Sequence, residues 1–195
     1  MSRRPNRSST YRKPSFTACS SVTSTTSAGT SEVIDALAVF TTSKAITDAI
    51  ARANSAGILF IAAAGNEGRD CDASDCSPGN TALANVITVA SIGSTGQLSA
   101  FSNRGARKVH LGAPGESVLS TVPVATGGGV TSGYGIASGT SMAAPHVTGA
   151  AALYAATRPS ATAAQIRSAI IGGVTATPAL KGKVSTGGRL NVGKF

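Results

Sequence analysis

One serine in this chain has neighbours that suit a nucleophile. Ser141 lies in "SGTSMAAPHVTGAAALY", residues 138–154, where a stretch of helix-forming residues begins. A serine in that position is usually an ordinary N-cap. Here Gly139 lets the backbone turn sharply, and the helix that follows is apolar nearly all round, which predicts a fully buried helix. Its N-terminal dipole and the Ser141 N–H would together stabilise an oxyanion formed above the serine.

A carboxamide follows the most apolar run of the chain. Asn66 stands in "AAAGNEG", directly after "ILFIAAA", which predicts a buried strand. The carboxyl ends of strands border the ligand crevice of open α/β sheets, so Asn66 could donate a hydrogen bond there. Taken alone, Asn-Glu-Gly is also ordinary turn sequence. Combined with Ser141, in this order and on these elements, Asn66 is interpreted as a second functional residue.

A serine nucleophile needs a group that accepts its proton, and the chain has two histidines. His146 lies five residues beyond Ser141 on the same helix, about 140° around it and about 7.5 Å along it. A general base needs a contact of about 2.6–3.2 Å, so His146 is excluded, and we expect it to be buried below the helix start. His110 alternates with Val109 and Leu111 in a short predicted strand, and nothing places it near the serine.

The elements that must position these residues alternate between helix and buried strand, which predicts a three-layer α/β fold with a mostly parallel sheet. "SEVIDALAVF" is interpreted as a helix with Ser31 as N-cap. "TGGGVTSGYG" is interpreted as a glycine-rich loop and the C-terminal "GKVSTGGRLNVGKF" as irregular. The helical face of "SEVIDALAVF" comprises Val33, Ile34, Leu37 and Ala38; further helices are expected near 44–56, 141–156 and 162–171, with Ser43 and Ser160 as caps, and strands near 58–64, 86–91, 108–115 and 117–123.

Composition limits the classes of function. A chain of 195 residues with 42% hydrophobic residues suits one domain, and no apolar run is long enough to span a membrane. The net charge of +9 does not predict nucleic-acid binding, because five of the 17 basic residues lie in the first 13 positions and the C-terminal ones are scattered without aromatics. Residues 1–31 are rich in Arg, Ser and Thr and lack an apolar signal core, so we expect a transit-like or disordered tail before a domain at 32–195.

The loop after Asn66 is polar and carries two cysteines. Cys71 and Cys76 either form a short-loop disulfide or stay as two free thiols. Zinc is not expected, since Cys19 is distant and no histidine is near in sequence. The four acidic residues of this region would offer oxygen ligands to calcium, but a solvated turn is the more ordinary interpretation, and no cofactor or metal is predicted. They are Glu67, Asp70, Asp72 and Asp75.

These motifs together resemble the subtilisin-like serine peptidases, the subtilases. "GTSMAAPHVTGAAALY" is similar to the segment that bears their nucleophile, and "GILFIAAAGNEG" to the strand and loop that bear their oxyanion-hole Asn. "NVITVASIGSTGQLSAFSNRG", "LGAPGESVLST" and "GRLNV" resemble further family segments, so the similarity runs from about Ser43 to the end. The resemblance implies a subtilisin-like fold, a peptide or protein substrate, Ser141 as nucleophile and Asn66 as oxyanion donor. The implied substrate-binding residues are Ala63, Ala64, Gly65, Gly139 and Thr140.

The family's other catalytic motifs are missing from the chain. Its triad runs Asp, His, Ser along the sequence, yet neither an Asp-Thr-Gly or Asp-Ser-Gly turn nor a His-Gly-Thr-His start occurs here. The nearest match, Asp35 in "EVIDALAV", lies in a helical pattern and is not assigned to the triad. We therefore expect the C-terminal portion of a subtilase domain, lacking the N-terminal part of the fold and inactive by itself.

Two functions follow from this interpretation. The first is a serine endopeptidase that needs residues from a missing N-terminal half or a partner chain. The second is a non-catalytic pseudoenzyme that binds peptides or a protein. The family's habit implies an extracellular or vacuolar location, whereas the Arg/Ser-rich start favours an organelle.

Overall fold

A six-stranded sheet organises the computed structural model, which describes residues 33–36 and 43–195. Four strands run parallel and adjacent in chain order, and two short C-terminal strands extend the sheet beyond them. The strands are β1 (Val33–Ala36), β2 (Leu59–Ala63), β3 (Val86–Ile92), β4 (Leu111–Pro114), β5 (Val118–Thr126), β6 (Gly129–Ala137), β7 (Thr175–Ala176) and β8 (Gly188–Arg189); the helices are α1 (Lys44–Ser55), α2 (Thr140–Thr157) and α3 (Ala163–Gly173). The sheet order is β1-β2-β3-β4-β8-β7.

Helices cover both faces of this sheet, as the alternation of helix and buried-strand patterns predicts. On one face α2 and α3 pack through Ala143, Val147 and Ile166 against the alternate residues Ile61 and Val89 of the strands. On the other face Ile50 of α1 packs against Phe60, Ala62 and Val86. Every residue of β2 and β3 is buried, because a parallel strand covered on both faces has no solvent side. The predicted three-layer α/β fold is confirmed.

The first element was predicted wrongly. Val33–Ala36 form a strand, not a helix, and pair in parallel with β2 from Val33 opposite Leu59 to Ala36 opposite Ala62. Short apolar runs fit both periodicities, and the available hydrogen-bonding edge of β2 decides between them. Ser31, Leu37 and Ala38, which belonged to the same prediction, lie outside the described residues.

The glycine-rich segment was also predicted wrongly. Most of "TGGGVTSGYG" forms β6, which pairs antiparallel with β5 in a separate two-stranded hairpin. Its register places Leu119 opposite Ile136 and Ala125 opposite Val130. Three of the hairpin's large apolar side chains, those of Val130, Tyr134 and Ile136, are 67% to 77% exposed. No charged residue occurs from 118 to 137. The hairpin is therefore an uncharged apolar arm outside the main core.

The C-terminal segment is less irregular than predicted. β8 pairs in parallel with β4 at Gly112 and Arg189, and β7 pairs antiparallel with β8. The predicted cap Ser160 is wrong: Thr162 caps α3, because its hydroxyl accepts from the Gln165 N–H while the Gln165 side chain accepts from the Thr162 N–H. Ser43 occupies the N-cap position of α1, but its side chain makes no capping hydrogen bond. None of the helices within the described residues is long and apolar enough to cross a membrane.

Candidate active site

The loop after β2 meets the first turn of α2, so the structure brings Asn66 beside Ser141. The Thr140 N–H and the Thr140 hydroxyl both donate to Asn66 Oδ1, each at 2.9 Å. The Gly65 N–H in turn donates to Thr140 Oγ1 at 3.1 Å. Three hydrogen bonds therefore join two segments that lie 74 or 75 residues apart in sequence.

These bonds fix the orientation of the Asn66 carboxamide. Because Oδ1 accepts both bonds from Thr140, Nδ2 is the side-chain atom left to donate elsewhere. Among the described residues no acceptor is bonded to it. A Cβ placed on Gly139 would lie 3.5 Å from Asn66 Nδ2 and 3.7 Å from the Ser141 nitrogen. The Asn66 Nδ2 donor and the Ser141 N–H thus border one space beside Gly139.

Ser141 is the second residue of α2 and is half-buried. No hydrogen bond from its hydroxyl to another residue of 43–195 is present. The helix start brings the positive end of an 18-residue dipole to the same place. The positive end of the helix would stabilise a negative charge that develops beside Ser141.

All five predicted substrate-binding residues lie inside the domain. Ala63, Ala64 and Thr140 are at most 1% exposed. The Ala64 N–H donates to Val89 O at 3.0 Å, and its carbonyl oxygen accepts from Asn103 Nδ2 at 2.9 Å. Their contribution to substrate binding, with that of Gly65 and Gly139, stays a prediction.

His146 does not approach Ser141, but its predicted burial is wrong. The side chain is exposed, and Nδ1 donates to the Met142 carbonyl oxygen of its own helix at 2.8 Å. α2 packs on the sheet through Ala144 and Val147, and His146 lies about 160° and about 100° around the helix from them, so it faces outward. The expectation that α2 is wholly buried is wrong for the same reason, since Pro145, Gly149 and Leu153 are exposed on that outer face.

His110 lies at the opposite end of the sheet. It precedes β4, whereas Gly115, whose carbonyl oxygen accepts from the Gly139 N–H at 2.8 Å, follows β4. Five residue steps of strand correspond to about 16 Å, so His110 is out of reach of Ser141. The Thr88 N–H donates to Nδ1 at 2.9 Å, and Arg167 Nη2 lies 3.0 Å from Nε2. Burial, and then the Arg167 charge, lower the pKa of His110 to about 4.

The polar loop beside Asn66 is closed by a disulfide. Cys71 and Cys76 are bonded, and both are buried. Within the same loop the Asp72 carboxylate accepts from the Arg107 and Lys108 N–H groups at 3.0 Å. The described residues contain no group of three or more His, Cys, Asp or Glu that could hold a metal ion. The Asp72 carboxylate thus holds the loop against the backbone of Arg107 and Lys108.

Comparison with known proteins decides the family. The family model described as the subtilase family matches residues 12–187. The chain belongs to the subtilases. This match begins 31 residues upstream of Ser43, where the recognisable motifs begin.

Several subtilases of known name are similar to this chain. An extracellular basic protease of Dichelobacter nodosus is 50% identical over 97 residues, covering 50% of this chain and 15% of that protein. An extracellular serine proteinase of a Thermus species is 43% identical over 132 residues, covering 66% of this chain and 29% of that protein. Subtilisin E of Bacillus subtilis is 40% identical over 134 residues, covering 65% of this chain and 31% of that protein.

A solved subtilase structure agrees with the fold. A protease from Pseudoalteromonas arctica superposes with a TM-score of 0.71 at 30% identity, covering 86% of this chain and 52% of that one. The chain therefore spans about half the length of that protease and less than a third of the length of the three relatives above.

One buried residue of this site was not predicted as functional. Asn103, in "AFSNRG", was noted only as part of a segment similar to the family. It makes four side-chain hydrogen bonds to the loop that carries Asn66. In the sequence, Asn103 is a single carboxamide residue among apolar and hydroxyl residues. This pattern does not indicate a functional role.

Proposed function

We propose that this chain supplies the nucleophile and the oxyanion donor of a subtilase-type serine endopeptidase. Ser141 is the nucleophile, and Asn66 Nδ2 with the Ser141 N–H forms the oxyanion hole. The observation that carries this proposal is the pair of hydrogen bonds from Thr140 to Asn66 Oδ1, each 2.9 Å, because they leave Nδ2 free beside the serine. The substrate class is a peptide or protein.

The chemistry follows from this geometry. Ser141 Oγ would attack the carbonyl carbon of a peptide bond while a base accepts its proton. The carbonyl oxygen becomes an oxyanion, which accepts hydrogen bonds from Asn66 Nδ2 and the Ser141 N–H. The amine leaves with a proton returned by the same base, and water then releases the acyl group from the serine.

We infer that the base is not supplied by residues 43–195. His110 and His146 are held elsewhere, and no described carboxylate bonds to Ser141. In subtilisin, loss of the catalytic histidine lowers kcat by about 10⁶-fold. We therefore infer that this chain alone does not hydrolyse peptides at a useful rate.

A binding function is the second candidate, and the β5–β6 hairpin favours it. Leu119, Val130, Tyr134 and Ile136 are all at least 65% exposed on an uncharged arm. Exposed apolar patches of this kind mark contact surfaces on soluble proteins. A subtilase without a base would then hold a peptide or protein without cleaving it. For either function we infer an extracellular location, because two of the relatives are named extracellular and the Cys71–Cys76 disulfide suits an oxidising compartment.

A fluorophosphonate probe tests the proposal, because rapid labelling requires an activated serine. We expect the probe to label the purified chain no faster than it labels the Ser141→Ala variant. We also expect the two chains to hydrolyse a casein-derived peptide at the same rate. Ser141→Ala is a matched control, since it removes only the hydroxyl of a half-buried residue. Peptidase activity that Ser141→Ala abolishes would contradict the inferred inactivity and would require a base outside the described residues. Activity that survives Ser141→Ala would remove Ser141 from the site.

A further inference from the structure

Asn103 is the most completely bonded side chain next to the candidate site. It is 1% exposed. Its Oδ1 accepts from the Glu67 N–H at 3.1 Å and the Arg69 N–H at 2.8 Å. Its Nδ2 donates to the Ala64 carbonyl oxygen at 2.9 Å and to Glu67 Oε2 at 2.7 Å. All four bonds end on residues 64–69, on both sides of Asn66.

The chemistry of these four bonds requires a carboxamide. Oδ1 uses two lone pairs and Nδ2 uses two N–H groups, so every bonding capacity of the side chain is used. An aspartate of the same size would place an acceptor against the Ala64 carbonyl and the Glu67 carboxylate. Gly65 is matched to Asn103 as well, because a Cβ there would lie 2.3 Å from Asn103 Nδ2 and the backbone φ of Gly65 is +103°.

The backbone around Asn103 continues the same contact. The Asn103 N–H donates to Gly65 O at 2.9 Å, and the Gly68 N–H donates to Phe101 O at 2.8 Å. Behind Asn103, Cys76 Sγ of the disulfide lies 3.6 Å from Nδ2. The side chain is thus enclosed between the disulfide loop and the loop of Asn66.

We propose that Asn103 is a positioning residue for Asn66. By holding both arms of the 64–69 loop, it keeps Asn66 Oδ1 on Thr140 and keeps Nδ2 directed to the space beside Ser141. The use of that Nδ2 as an oxyanion donor rests on the proposed function, whereas the positioning itself does not.

The Thr140 amide proton reports this positioning without any catalysis. Thr140 begins α2, so its N–H has no partner within the helix, and its bond to Asn66 Oδ1 protects it. Hydrogen exchange measured by NMR in Asn103→Ala should show the Thr140 amide exchanging roughly tenfold faster, the effect of losing about one hydrogen bond. Amides of β2 and β3 should change much less.

Asn103→Asp is the second variant, because it keeps the volume and the Oδ1 acceptor and replaces the Nδ2 donor with a second, negatively charged acceptor. It should accelerate Thr140 exchange as Asn103→Ala does. The matched control is Asn85→Asp, since Asn85 is also buried and donates through Nδ2 to Ile58 O at 2.9 Å, but lies at the start of β3. This control should not accelerate Thr140 beyond the strand amides.

Unchanged Thr140 exchange in both Asn103 variants would overturn the proposal. Equal acceleration of Thr140 and the strand amides would do the same, as would failure of Asn103→Asp to fold where Asn85→Asp folds, because both would make Asn103 a residue of global stability. A selective effect on Thr140 in a chain that shows no peptidase activity under any condition would support the positioning while counting against the proposed function.

Discussion

At the scale of single residues, Asn66 uses the two ends of its carboxamide for different purposes. Oδ1 accepts from the first N–H of α2, which Gly139 has no side chain to cap. Nδ2 has no bonded acceptor among the described residues. Capping of this kind stabilises a helix by about 1 kcal/mol, so Asn66 contributes to stability as well as to the proposed oxyanion hole. The two contributions can be separated by substitution.

Asn66→Asp and Asn66→Ala should therefore differ in stability. The aspartate keeps the acceptor and adds a negative charge at the helix N-terminus, so we expect a free energy of unfolding within about 0.5 kcal/mol of the parent chain. The alanine loses the cap, and we expect a decrease of about 1 kcal/mol. Urea unfolding followed by circular dichroism measures both. Equal losses in the two variants would show that Oδ1 does not cap α2.

At the scale of elements, His110 joins β3, β4 and α3. It precedes β4, accepts from Thr88 of β3 and contacts Arg167 of α3. Its folded pKa of about 4 lies below the ordinary histidine value of 6.5. The unfolded chain therefore binds a proton more readily than the folded one between these two values. The stability contributed by the neutral ring is present above about pH 6.5 and is lost as the pH falls toward 4.

Because of this linkage, the free energy of unfolding should fall more steeply with decreasing pH in the parent chain than in the His110→Gln variant. The glutamine cannot titrate, so its free energy of unfolding should fall less between pH 7 and pH 4.5. The difference is expected to be on the order of 2 kcal/mol, below the full value of the pKa difference because the ring is not wholly buried. Urea titrations at several pH values give both slopes. Parallel slopes would mean that the pKa of His110 is the same in the folded and the unfolded chain.

The elements also show where sequence patterns succeed. α1, α2, α3, β2 and β3 were predicted to within two residues at each end, because long apolar periods and buried runs leave one interpretation. β1 and β6 failed because each is defined by its pairing partner. The four residues of β1 pair with β2, and the glycines of β6 pair with β5 across a hairpin that local propensity disfavours. Pairing between distant segments is not visible in local periodicity.

The candidate site divides in the same way. Recognisable motifs identify Ser141 and Asn66 in the sequence. Helix geometry alone predicts that His146 points away from Ser141. The exposure of His146 could not be predicted, because it depends on what covers α2. Asn103 could not be found either, since its role comes from bonds to residues 34 to 39 positions away.

At the scale of the whole molecule, the described residues leave two apolar surfaces exposed. One is the outer face of α2 with Pro145, Gly149 and Leu153, and the other is the β5–β6 hairpin. α2 contains no charged residue along its 18 positions, which is typical of a helix buried on all sides. The chain also spans only 52% of its solved structural relative. We propose that a second polypeptide segment of subtilase type covers these two surfaces.

Complementation tests this completion directly. Mixing the chain with a separate polypeptide that carries a subtilase's Asp and His motifs should produce a complex and peptidase activity. Leu153→Lys should weaken the complex at least roughly tenfold, because a charge would be buried at the contact, while the free chain keeps its stability since Leu153 is 48% exposed. The Ser141→Ala chain should bind equally well and stay inactive. A complex that forms without any Ser141-dependent hydrolysis would instead favour the binding function.

The bond between Asn66 and Thr140 has a consequence for how such a chain changes over generations. A lineage that loses proteolysis no longer selects for an oxyanion donor, but it still selects for a folded domain, and Oδ1 of Asn66 caps a helix on which the core packs. Thr140 would be kept for the same reason, and Gly65 because Asn103 occupies the space of its side chain. The residues that identify a subtilase serine motif can thus be kept after the reaction is lost, because their hydrogen bonds stabilise the fold. The Ser141 hydroxyl makes no hydrogen bond to residues 43–195 that would stabilise the fold. Once proteolysis is lost, stability alone would therefore not select against substitution of Ser141.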